Sequence, residues 1–146
     1  MERGQAGTDH TTCVFCRIVA SDEPAHIVLD DDVAVAFLDT RPLFPGHMLL
    51  VPRVHHETLT DLPAEVVGPL FERAQRLAAA ATSGLGAEGT FVAMNNRISQ
   101  SVPHLRVHVV PRRRRDGLRG FCWPRARSDD DCHAAHVAQS LRDAHG

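Results

Sequence analysis

In the segment "QSVPHLRVHVVPR", residues 100–112, histidines stand at positions 104 and 108 with an arginine at 106. Imidazole suits proton transfer and nucleophilic attack at neutral pH because its pKa lies near 6.5. Guanidinium does not: it keeps its proton, with a pKa above about 12, and offers donors but no lone pair. On a strand, His104, Arg106 and His108 share one face and Leu105, Val107 and Val109 share the other. Polar side chains on one face of an otherwise apolar strand are costly to bury without partners. The segment therefore reads either as an exposed sheet face or as a surface built to meet a charged ligand. The amides and hydroxyl of "NNRISQSV", just upstream, favour the second reading, because such groups bind phosphate oxygens.

Cysteine supplies a second chemistry. Cys13 and Cys16 form a Cys-x-x-Cys pair, and Cys122 and Cys132 follow much later. In a cytosolic chain such a pair serves redox exchange or metal binding more often than a disulfide framework. A thioredoxin-like motif follows a strand and opens a helix in a βαβ unit. No strong strand precedes Cys13, so metal binding is the better reading if two further ligands exist.

The elements that must position these groups emerge from hydrophobic periodicity. "CVFCRIVAS" carries Val14, Phe15, Ile18 and Val19 at helical spacing and predicts a short helix. "HIVL" predicts a short strand that ends in three aspartates, "VAVAFLD" a strand buried on both faces, and "HMLLVPR" a third strand. "TRPLFPG" is a loop. The longest helix is predicted from about Pro63 to Ser83, with Asp61 as a nearby cap and an apolar stripe from Val66 to Ala81. "TFVAMN" and "HLRVHVVP" predict two more strands, and a last helix is predicted from about Asp129 to Ala144. This order predicts an α+β fold: a largely antiparallel sheet of about five strands, one long helix on one face and short terminal helices.

Composition narrows the function classes. With 146 residues, 43% hydrophobic and 23% charged, the chain is sized for one packed domain rather than a disordered segment. The net charge of -2 gives no global signal for nucleic acid or a membrane surface. No apolar run approaches the roughly 20 residues that span a bilayer. The start, "MERGQAGTDHTT", lacks the apolar segment of a secretory signal. The expected organisation is a flexible leader over 1–12 and a single domain over 13–146, located in the cytoplasm. All sixteen basic residues are arginines, a bias expected of a bacterium with a GC-rich genome. The run in "RRRRDGLRG", from Arg112 to Arg115, raises the question of a nucleic-acid patch, but no aromatic residues interleave to stack bases. A solvated loop, or a basic rim that draws polyphosphates inward, accounts for it better. Neither a membrane nor a nucleic acid is expected as partner.

The segment "QSVPHLRVHVVPR" resembles the signature of the histidine triad (HIT) superfamily, Gln-Ser-Val-x-His-φ-His-φ-His-φ-φ with φ apolar. "CVFCRIVASDEPAHIVLDDDVAVAFLD", "PGHMLLVPRVHH" and "FVAMNN" look like family segments in the family's order, so the resemblance covers residues 13–125. It implies a HIT-like fold that binds a purine nucleotide such as AMP. It also implies hydrolysis or transfer of nucleoside monophosphates from dinucleoside polyphosphates, phosphoramidates or adenylates, and a homodimer. In the family the middle histidine attacks the α-phosphorus and carries the nucleotidyl group. The third histidine, with the Gln and Ser ahead of the triad, serves the phosphate.

Carried over, the resemblance places Gln100, Ser101 and His108 at the phosphate and Asp39 at the ribose hydroxyls. It places Asn95, with Asn96 as its rival, near ribose and phosphate, and Phe15, Ile18 and Leu38 against the base. By type alone, Asp39 would be a strand-ending turn residue and the apolar three would be core. Some bacterial members pair such a Cys-x-x-Cys with the histidine of a "VPxxH"-like segment and the first triad histidine. Here the set is Cys13, Cys16, His55 (His56 is its rival) and His104, suited to a structural Zn2+. Trp123 in "FCWPR" is expected in the core or at the dimer interface, and Cys122 and Cys132 are expected to be plain thiols.

The departure from the family is Arg106, which occupies the nucleophile position. It closes the covalent route, so activity is expected to be lost or reduced while binding contacts survive. The guanidinium could grip the α-phosphate through charge-assisted hydrogen bonds, or it could fill the pocket. The alternative function is a non-catalytic purine-nucleotide sensor.

Overall fold

The structure, a computed structural model, describes residues 12–118, 126–127 and 130–145. The chain divides into two compact units, residues 1–114 and 115–146. In the first, the elements run α1 (Val14–Val19), β1 (Ile27–Asp30), β2 (Ala34–Leu38), β3 (Met48–Pro52), a 3-10 turn (Leu59–Asp61), α2 (Ala64–Leu85), β4 (Gly89–Ala93) and β5 (Val107–Arg112). The five strands form one antiparallel sheet in the order β1-β2-β3-β5-β4. This is the α+β fold that the periodicity predicts. The second unit carries α3 (Asp131–His145), close to the predicted span, with no buried residue. Cys122, Trp123 and most of the expected leader lie outside the described residues.

Side-chain alternation sorts the central strands between two cores. Ala34, Ala36, Met48, Leu50, Val107 and Val109 face one way and pack under Leu70, Ala74, Leu77 and Ala81 of α2. Val35, Phe37, Leu49 and Val51 face the other way and pack with Phe15 and Ile18 of α1. A sheet covered on both sides needs apolar residues at consecutive positions, which is why "VAVAF" and "MLLV" read as unbroken runs. A six-residue helix without a side-chain cap has no stability of its own, so α1 exists because of what it covers.

Three local features depart from the sequence reading. Asp61 does not cap α2: its carboxylate accepts the N–H and hydroxyl of Thr58 in a capping box on the preceding 3-10 turn, and Pro63 takes the N-cap position. The last strand begins at Val107 rather than His104, because the Leu105 N–H bonds to the His56 carbonyl at 2.7 Å instead of joining the ladder. The arginine run is partly structural. Arg113 donates to the carbonyls of Leu85 and Gly86 at the C-terminal end of α2, where acceptors are left over and positive charge is favoured. Arg114 pairs with Glu88 at 3.5 Å.

Gly46 closes the loop before β3 at a φ of +90°, where a Cβ would sit 2.4 Å from Leu85 Cδ1. The bend it permits sets His47 at the entry to β3.

Candidate functional site

A cavity of about 930 Å³ lies between α1 and the sheet face that α1 covers. Phe15, Ile18, Phe37 and Leu38 give it apolar walls, and Asp39, Ser101, Arg106 and His108 supply polar groups. Apolar walls with a few convergent polar groups are the usual make-up of a small-molecule site. Gln100 and Asn95 are not among the lining residues. The Gln100 side chain accepts the Arg97 N–H at 2.8 Å and donates to the Glu57 carbonyl at 2.6 Å. Asn95 donates to the Ser99 carbonyl at 3.5 Å, and Asn96 accepts the Leu59 N–H at 2.7 Å. These amides brace a tight loop in which Arg97 and Ser99 take φ of 69° and 57°.

Arg106 is only 8% exposed. Its guanidinium donates to Ser101 Oγ at 3.2 Å and to the Val102 carbonyl at 3.4 Å, and lies 5.3 Å from the centre of the Phe15 ring. That ring supplies a cation–π contact for a desolvated charge. Burial draws the Arg106 pKa down and the Asp39 carboxylate draws it up. Folded back in this way, the guanidinium forms part of the wall, and the cavity stays open beside it.

His108 lies on the same face as Arg106. Its Nδ1 is 2.9 Å from Nε2 of His47, a ring only 3% exposed. Burial, followed by the neighbouring His47 and Arg106, pushes the His108 pKa down to about 4. Burial also lowers His47, against the pull of Asp39. Asp39 Oδ1 accepts the Arg41 N–H at 2.9 Å, and Oδ2 lies 3.7 Å from His47 Nε2. Sequence reasoning passed over His47. The signal was present: His47 has the same parity as Leu49 and Val51, which face α1.

The second constellation joins Cys13, Cys16, His55 and His104, with all four ligand atoms within 4.8 Å of one another. Cys16 Sγ is 3.1 Å from His55 Nδ1 and 3.5 Å from His104 Nδ1, and Cys13 Sγ is 3.4 Å from His104 Nδ1. Zn–S bonds of about 2.3 Å and Zn–N bonds of about 2.0 Å in a tetrahedron give S···N edges of roughly 3.5 Å, so the donor set fits zinc. His104 is fully buried, and its Nε2 lies 3.4 Å from the Pro52 carbonyl, an acceptor that puts the ring proton on Nε2 and bares Nδ1. Burial and Cys13 push the Cys16 thiol up to about 12, so thiolate character there needs a cation. His56 is not part of the set.

A short helix laid over one face of an antiparallel sheet, with Arg106 and His108 lining the cavity beneath, defines a small α+β domain with a largely apolar cavity. The family model described as the HIT domain matches residues 20–115, and the chain belongs to that family. It is 31% identical over 116 residues to an adenylylsulfatase, HINT3, from Arabidopsis thaliana, covering 78% of this chain and 59% of that protein. It is 32% identical over 121 residues to the adenosine 5'-monophosphoramidase HNT1 of Saccharomyces cerevisiae, covering 82% and 74%. Among solved structures, a Zn-bound histidine triad family protein from Mycobacterium smegmatis superimposes with a TM-score of 0.69 at 34% identity, covering 90% of this chain and 99% of that one. Among the described residues, no helix is long and apolar enough to cross a membrane.

The buried histidines set a pH dependence. His108 titrates at about 4 when folded and near 6.5 when unfolded. The unfolded chain therefore binds its proton first, and stability present above pH 6.5 is lost as pH falls toward 4. Thermal melts at fixed metal content should show a midpoint that falls across this window. The fall should be shallower in His108→Asn, and an unchanged slope in that variant would place the effect elsewhere.

Proposed function

We propose that this chain binds nucleoside monophosphates and their derivatives in the α1 cavity, as a member of the HIT hydrolase and transferase class whose turnover is lost or reduced by Arg106. The observation that carries the reading is the convergence of Arg106, Ser101 and His108 on a cavity that is otherwise largely apolar. The guanidinium, the hydroxyl and the imidazole take the phosphate oxygens. Asp39 Oδ2, which the Arg41 amide leaves free, takes a ribose hydroxyl. Phe15, Ile18 and Leu38 wall the base. Gln100 and Asn95 serve at one remove, by holding the loop that presents Ser101. The names of the two curated relatives share an adenylyl or AMP group joined through phosphorus to a leaving group, which makes AMP the simplest probe. A second reading, a nucleotide sensor that binds without turnover, draws its support from the same arginine.

Cys13, Cys16, His55 and His104 would hold a structural Zn2+. Bound there, the ion supplies charge and a cross-link between the start of α1 and the segments around residues 55 and 104. A homodimer would form along the outer edge of β4, the last strand of the sheet, where Val92 is 42% exposed.

Arg106→His should raise AMP release from adenosine phosphoramidate by at least about 100-fold over the parent chain, because it restores a nucleophile. Flat activity would move the lesion elsewhere. Calorimetry should show AMP binding to the parent chain, and no heat at millimolar AMP would end the nucleotide reading. Purified protein should carry about one zinc per chain by elemental analysis. Cys13→Ser with Cys16→Ser should remove the metal and lower the melting temperature, whereas full metal content in that variant would reject the site. Sedimentation should give twice the chain mass, and a monomer at micromolar concentration would reject the β4 interface.

A further inference from the structure

With arginine at the attacking position, the proton of the remaining imidazole decides what the site can do. We infer that His47 is a positioning residue that holds the His108 proton on Nε2, so that His108 presents a neutral hydrogen-bond donor to the cavity and no lone pair. The argument starts from a backbone amide. The Leu43 N–H donates to His47 Nδ1 at 3.1 Å. An amide nitrogen can only donate, so His47 Nδ1 carries a lone pair and the single proton of the neutral ring sits on Nε2. That nitrogen faces His108 Nδ1 at 2.9 Å, so this hydrogen bond runs from His47 to His108. His108 Nδ1 is then the acceptor, and its own proton belongs to Nε2.

The charged neighbours agree with this assignment. Asp39 Oδ2 stands 3.7 Å from His47 Nε2, farther than His108 Nδ1, so the proton is directed to His108. Arg106, on the same face as His108, disfavours a second positive charge there. The assignment also removes a competing interpretation. Asp39, His47 and His108 offer ligand atoms within 4.8 Å of one another, a spacing that could hold a metal ion. A metal would need the lone pair of His108 Nδ1 or of His47 Nε2. The first accepts a hydrogen bond, and the second carries the proton that the Leu43 amide places there.

The consequence for ligand rests on the nucleotide reading proposed above. Arg106, the Ser101 hydroxyl (whose oxygen already accepts from Arg106) and His108 Nε2–H all meet a phosphate as donors. His108 is thereby excluded as the base that would activate water in place of the missing histidine.

Nitrogen-15 spectra of the histidine rings in ligand-free protein test the assignment. His108 should show a protonated Nε2 and a bare Nδ1 across neutral pH. His47→Leu should shift His108 toward the other tautomer and weaken AMP binding by about tenfold, the size expected for one misdirected hydrogen bond to a charged group. His47→Gln, whose amide can still donate toward His108, should restore the tautomer and most of the affinity. A proton on His108 Nδ1 in the parent chain, or an unchanged tautomer in His47→Leu, overturns the inference. If His47→Leu does not fold, the spectra of the parent chain and of His47→Gln decide. Failure of AMP to bind the parent chain would overturn the nucleotide reading alone, because the ligand-free spectra would still decide the role of His47.

Discussion

The site exists because the sheet has two buried faces and the second is covered by very little. α2 is long enough to cover its side of the sheet as a conventional helix. α1 has six residues, and it stays helical because Phe15 and Ile18 bury themselves against Val35, Phe37, Leu49 and Val51. Burial of two such side chains is worth roughly 1.5–3 kcal/mol each. So short a helix cannot seal a whole sheet face, and the uncovered remainder is the cavity. Cavity and helix are two results of one packing problem.

That arrangement explains how a strand entry can carry three polar residues at low cost. His104 turns toward the cysteines, and its other nitrogen is satisfied by Pro52. Arg106 lies on Phe15 and donates to Ser101 and Val102. His108 is backed by His47. Each group sends its hydrogen bonds to different partners, so the three do not compete. The guanidinium, stacked near Phe15 and bonded to Ser101 and Val102, is a fixture of the cavity wall.

Much of this was legible in the residues. The unbroken apolar run "VAVAFLD" announced a strand buried on both sides, and the Val66-to-Ala81 stripe announced the long helix over one face of the sheet. The residues Cys13, Cys16, His55 and His104 do come together, as the resemblance implied. Less legible was anything that depends on where a side chain spends its hydrogen bonds. Gln100 and Asn95 stand at positions that suggest phosphate contact, yet loop 95–103 turns through two left-handed residues and uses their amides to hold itself. Asp61 was read as a nearby cap of the long helix, but Thr58 claims its carboxylate. His47 was overlooked because its parity tells which face it takes but not that its ring meets His108, whose partner across the ladder is Leu49.

β2 has almost no side that is free to change. From Ala34 to Phe37 every residue is buried, two toward each core. Only Leu38, at the end of the strand, is 36% exposed, and it lines the cavity. Along this strand, heritable variation that spares the fold is funnelled to a residue that lines the cavity. Such a scaffold can drift in what it recognises while its architecture stays fixed.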